Sequence, residues 1–158
     1  MKFEFWMLGK TSFPYLLEGI QLYQKRLKHY ISLELVVLPD IKKAKNLSPS
    51  ELKRKEGALI LQKLKPEDLL VLLDEKGKQY DSEGFASFLE QQLQSSRKRM
   101  IFQVGGAYGF SEAVYQRANS KIALSKMTFS HQMIRLFFME QLYRGMTILR
   151  REPYHNSG

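Results

Sequence analysis

The sequence predicts an α/β domain: a mostly parallel sheet of five to six strands with helices on both faces. Two observations carry that reading. Strand-like and helix-like segments alternate five times along the chain, with no run of consecutive strands. Leu69–Leu73 is also a continuous apolar run, the pattern of a strand covered on both faces in a parallel sheet. Ligands in such sheets bind beyond the carboxyl ends of the strands. Three loops are therefore of interest: those after Leu73, Val104 and Leu124.

The elements follow in order. Lys2–Leu8 alternates loosely and reads as an aromatic-rich strand. Gly9-Lys10-Thr11 looks like the tail of a phosphate loop, but Glu4 stands where its first glycine would be, so that reading fails. No G-x-G-x-x-G follows the strand. Tyr15–Lys28 is a helix with Leu16, Ile20, Tyr23 and Leu27 on one face. Leu33–Leu38 is the second strand, followed by Lys42, Lys43 and Lys45. Ser48-Pro49-Ser50-Glu51 has the form of a capping box and opens a helix to about Leu64, with Lys53-Arg54-Lys55 near its start.

The apolar strand Leu69–Leu73 gives way to a loop at Asp74–Lys78. Ser82 is placed to cap a helix over Gly84–Leu93, and a basic connector leads through Arg97-Lys98-Arg99 to a strand at Met100–Val104. That strand breaks into Gly105-Gly106-Ala107-Tyr108-Gly109-Phe110, and Ser111-Glu112 opens a short helix to about Ala118. Lys121–Leu124 is the fifth strand. A small-residue loop then enters a long helix, His131–Leu149, stopped by Pro153. Ile134, Phe137, Phe138, Leu142 and Leu149 share one face of it, and Met139 and Met146 widen that face.

Composition narrows the function. With 158 residues and 44% apolar side chains, residues 1–158 form one domain with room for a core. No apolar run approaches the ~20 residues of a membrane span. The segment Met1–Leu8 is too short and polar for a signal peptide. The chain has no cysteine, which excludes disulfides and thiolate chemistry and fits a cytoplasmic location. A net charge of +9 points to a polyanionic partner, nucleic acid first. His29, His131 and His155 have no metal-ligand spacing, and no G-x-S-x-G elbow is present. Gly105-Gly106 allows close backbone approach to a ligand. The loop after Leu124 offers backbone groups and small side chains, which suit a flat heterocycle better than a triphosphate.

Five stretches taken together carry a resemblance. They are Leu72–Lys78, Val104–Phe110, Leu124–Arg135 (Leu-Ser-Lys-Met-Thr-Phe-Ser-His-Gln-Met-Ile-Arg), Glu140–Arg144 and Pro153-Tyr154-His155. In this order and spacing the chain resembles, over its whole length, the RlmH family of SPOUT-superfamily ribosomal RNA methyltransferases. The resemblance implies a trefoil-knotted α/β fold and S-adenosylmethionine as methyl donor. It implies donor contacts at Leu73, Gly105, Leu124, Ser125, Lys126, Met127, Thr128 and Phe129. It also implies a homodimer acting on N3 of a pseudouridine in the 23S RNA of the assembled ribosome. Two departures stand out: Tyr108 in the glycine turn, and Asn156-Ser157-Gly158 extending the tail.

The chemistry then assigns roles. The N3 proton must leave, and His155 is the best base by residue type. Tyr154 would orient His155 or the target base, and Arg144 would stabilise the developing negative charge. His131 competes as a helix-start residue packed near the donor loop. Two other readings stay open: a non-enzymatic ribosome- or RNA-binding module, and a tRNA methyltransferase of the same superfamily.

Overall fold

A computed structural model describes residues 1–156; Ser157 and Gly158, the end of the tail extension, lie outside the described residues. The strands are β1 (Lys2–Leu8), β2 (Ser32–Leu38), β3 (Leu69–Gln79), β4 (Arg99–Val104) and β5 (Ser120–Ala123). The helices are α1 (Pro14–Leu27), α2 (Pro49–Lys63), α3 (Ser82–Leu93), α4 (Glu112–Arg117) and α5 (Met133–Leu149). One five-stranded sheet has the order β2-β1-β4-β3-β5, and every pairing is parallel. The expected α/β architecture is therefore present.

Strand alternation divides the core in two. Phe3, Phe5 and Met7 point to the face covered by α1, α3 and α5, where Ile20, Phe85, Leu89, Phe138, Met139 and Leu142 pack against them. Trp6 and Leu8 point to the other face, under Ile60 of α2 and Val114 of α4. Glu4 shares that second face although it is charged, because Trp6 Nε1 (2.9 Å) and Arg99 Nη1 (3.1 Å) both donate to its carboxylate. Among the described residues, no helix is long and apolar enough to cross a membrane.

Three local expectations need correction. Asp74–Lys78 is not a free loop: β3 continues to Gln79, and its register against β5 jumps between Leu73 and Lys78, both opposite Ile122. Polar residues carry this extension, so apolar periodicity could not reveal it. Gly77 makes it feasible, since a Cβ there would lie 2.6 Å from the Ile122 backbone nitrogen. Second, α3 is capped by Asp81, whose Oδ1 accepts from Gly84 N at 2.7 Å, and Ser82 is its first helical residue. Third, the buried stripe of α5 is Arg135, Phe138, Met139, Leu142 and Met146. Phe137 faces outward, 39% exposed, against Phe129 (ring centroids 4.8 Å). A helix apolar on several sides has no unique inner stripe, and packing against α1, α3 and the sheet decides which side remains outside. The Ser48 cap is as expected, accepting from Glu51 N at 3.2 Å.

Candidate active site

Because β4, β3 and β5 are adjacent and parallel, the loops after β4 and β5 meet the polar half of β3 on one side of the sheet. They enclose a cleft of about 460 Å³. Leu73, Gly105, Leu124, Ser125, Met127, Thr128 and Phe129 all line it, whereas Lys126 lies in the loop but not in the wall. A Cβ at Gly105 would come within 3.2 Å of the Phe110 ring, so the glycine keeps the floor of the cleft open. Thr128 Oγ1 donates to Glu75 Oε2 at 2.8 Å and ties the loop after β5 to the polar half of β3. Met127 N donates to Ser125 Oγ at 2.9 Å, which shapes the turn between them.

The wall holds residues that sequence reasoning did not select. Asp74, Glu75 and Lys76 line it, and so does Tyr115 from α4. Two carboxylates against one lysine leave the wall acidic. An acidic pair directly after an apolar strand was the available signal for Asp74 and Glu75. Nothing marked Tyr115, whose place depends on how α4 packs. Its hydroxyl donates to Asp74 Oδ2, and burial together with that carboxylate pushes its pKa up to about 12. His131 also lines the cleft; burial, with the nearby Arg135 charge, lowers its pKa and keeps the ring neutral.

The other candidates gather at the far end of α5. Arg144 Nη2 donates to Glu140 Oε1 at 2.6 Å, and its Nη1 lies 3.1 Å from His155 Nδ1. Arginine can only donate, so Nδ1 is the acceptor and the ring proton sits on Nε2. The Tyr154 hydroxyl donates to Glu140 Oε1 at 3.0 Å, and its ring packs under the Arg144 guanidinium at 4.8 Å. Burial, with the Tyr23 and Glu140 contacts, raises the Tyr154 pKa and keeps it a phenol.

The tail is thus docked rather than loose: Tyr154 stacks edge-on against Tyr143 (4.8 Å), and Tyr30 OH donates to Glu152 at 2.5 Å. None of Arg144, Tyr154 and His155 lines the cleft of its own chain. Ile134 does, and Arg144 stands ten residues further along the helix, about 15 Å at 1.5 Å per residue. Among the described residues, no group of three metal-ligand side chains converges.

Fold and cleft define a class: α/β domains whose ligand cleft lies beyond the carboxyl ends of parallel strands. The sequence profile described as "Predicted SPOUT methyltransferase" matches residues 1–155. A protein of Parabacteroides distasonis named "Ribosomal RNA large subunit methyltransferase H" is 58% identical over 156 residues, 99% of each chain. Proteins of the same name from Christiangramia forsetii and Flavobacterium johnsoniae are each 55% identical over 149 residues, 94% of this chain and 95% of theirs. The chain belongs to the SPOUT methyltransferase family.

Proposed function

We propose that this protein is an S-adenosylmethionine-dependent ribosomal RNA methyltransferase. In this reading a cytoplasmic homodimer methylates N3 of a pseudouridine in the 23S RNA of the assembled ribosome. The observation that carries it is the cleft at the ends of β3, β4 and β5, with an acidic wall and an open glycine floor. Such a wall suits a cationic sulfonium and opposes a polyphosphate. The names of the near-full-length relatives support the RNA substrate. The trefoil knot belongs to the same reading. It is supported by the return of the chain from β5, at the sheet edge, to α5, whose Phe138 packs on Phe5 (4.6 Å) and Phe102 (4.7 Å) in mid-sheet.

When bound, the donor supplies an already activated methyl, so the protein has mainly to align it with the nucleophile and deal with the N3 proton. Arg144 and His155 suit the second task. On arrival of the base, the N3–H takes the place of the Arg144 guanidinium at His155 Nδ1. The freed guanidinium nitrogen turns to the adjacent carbonyl oxygen, where negative charge develops as the proton leaves. Glu140 keeps the guanidinium in reach through its other nitrogen. Tyr154 fixes the guanidinium plane by stacking.

These groups are separated from the cleft of their own chain, which supports a site shared between two copies. Phe13, Tyr15, Leu22 and Phe137 are exposed large apolar side chains on or beside α1 and α5. In a two-fold dimer such a patch pairs with its own copy. Antiparallel α5 helices would bring the Arg144 end of one against the cleft end of the other.

The test is transfer of labelled methyl from S-adenosylmethionine to assembled ribosomes, separate subunits and tRNA side by side. The expected result is label in the large-subunit RNA of assembled ribosomes. Label in tRNA alone, or none with any substrate, would overturn the reading.

A further inference from the structure

Arg135 stands in the first turn of α5 with its side chain 1% exposed. Among the described residues no carboxylate comes within ion-pair distance of it. Its four hydrogen bonds go to neutral oxygens: Nε to the His131 carbonyl (3.1 Å), Nη1 to the Gly9 carbonyl (2.9 Å) and Thr11 Oγ1 (3.1 Å), and Nη2 to the Leu8 carbonyl (2.8 Å). A buried guanidinium without an ion pair is expensive, and an apolar side chain would fill the same space better. Bulk is therefore not what Arg135 supplies. Its planar fork joins three places at once: the end of β1, the loop that follows it, and the turn that leads into α5 at His131.

Gln132 repeats the connection one step earlier. It is 8% exposed, accepts from Ser12 N at 2.8 Å and donates to the Lys10 carbonyl at 3.1 Å. The loop over residues 124–131 is thus held at one end by β5 and clasped at the other by Gln132 and Arg135. Between those ends its side-chain bonds are exposed ones: Ser125 Oγ accepts from Met127 N, Thr128 Oγ1 donates to Glu75, and Ser130 Oγ accepts from Met133 N.

We propose that Arg135, seconded by Gln132, is a positioning residue of the donor site. From the end of β1 it fixes the far end of the 124–131 loop, so that the cleft has its shape before the donor arrives. The inference rests on the donor-site reading above. A preformed loop spares binding the ordering entropy that a loose one would demand. Neither side chain lines the cleft, so the effect runs through the loop and not through donor contacts.

Three variants test it: Gln132→Leu, which keeps the guanidinium; Arg135→Lys, which keeps the charge; and Arg135→Met, which removes both charge and bonds. S-adenosylmethionine affinity is measured by calorimetry, and amide exchange is measured without donor. Gln132→Leu should weaken donor binding about tenfold and Arg135→Met on the order of 100-fold, with Arg135→Lys between parent and Met, as for losses of positioning. Exchange should quicken at residues 125–131 and stay unchanged at 138–146. If Arg135→Met fails to fold, the other two variants decide. Parental donor affinity and parental loop exchange in Gln132→Leu and Arg135→Lys would overturn the proposal. So would lower melting temperatures without faster loop exchange, since that is a purely structural role. If the parent itself binds no donor, the donor-site reading fails, and loop exchange alone still judges the clasp.

Discussion

A histidine in the wall of the cleft makes the site sensitive to pH at His131. Its folded pKa lies below the ordinary value of about 6.5, because burial and the Arg135 charge oppose protonation. Above about 6.5 both folded and unfolded chains hold the ring neutral, and stability is fully present. Below it the unfolded chain takes up a proton that the folded chain resists, so stability declines as the pH falls towards the folded value. Melting temperatures between pH 8 and pH 5 should therefore fall more for the parent than for His131→Gln. Donor affinity should fall over the same range, since an imidazolium beside a sulfonium is a like-charge pair. Equal pH profiles for both proteins would contradict this.

Gly105 offers a second test at this scale. Even the single Cβ of alanine would meet the Phe110 ring at 3.2 Å, and a valine would press harder, so alanine is the milder probe. Gly105→Ala should lower donor affinity in calorimetry, with a smaller fall in melting temperature than Gly105→Val.

At the scale of elements, β3 and the tail differ most from a sequence reading. The apolar half of β3 was legible because burial on both faces leaves a continuous hydrophobic run. Its polar half was not, because pairing with β5 past a register shift leaves no such run. The loops after Val104 and Leu124 were legible as strand ends, and of the eight residues that the family resemblance implied, seven line the cleft; Lys126 does not. The docking of the tail was not legible. It depends on α1 and α5 lying side by side, so that Tyr23 and Tyr143 meet Tyr154. Gly77→Ala should cost about 2 kcal/mol, the scale of overpacking against atoms that cannot move aside, measured by denaturant unfolding. Deleting residues 154–158 should leave donor binding near parental and lower single-turnover methyl transfer by ~10²–10⁴-fold, the usual cost of losing a positioned acid or base. Some stability goes with the Tyr154 contacts. His155→Gln keeps an acceptor for Arg144 but no proton acceptor of histidine strength, and should reproduce most of the kinetic loss.

At the scale of the molecule, the charge of +9 is not uniformly available. Arg99 is engaged by Asp68 (2.5 Å) and Glu4, and Arg97 by the Glu67 carbonyl, all where β4 begins, away from the cleft. Lys42, Lys43, Lys45, Arg54 and Lys55 are exposed and follow the end of β2, which lies on the cleft side of the sheet. Ribosome affinity should fall with salt at a log–log slope of roughly −0.7 to −0.9 per phosphate contacted. Replacing Lys42, Lys43 and Lys45 with alanine should flatten that slope, whereas replacing Lys98 should not.

The claim that unites the three scales is that a working site takes its cleft from one protomer and its tail from the other. Two defective chains test it when co-expressed with different tags and purified as mixed dimers. Ser125→Trp fills the cleft, and deletion of residues 154–158 removes the tail. Each variant alone should transfer almost no methyl to ribosomes. In the mixed dimer one intact cleft faces one intact tail, so about half the parental rate should return. A mixed dimer as inactive as its parts would contradict the shared site.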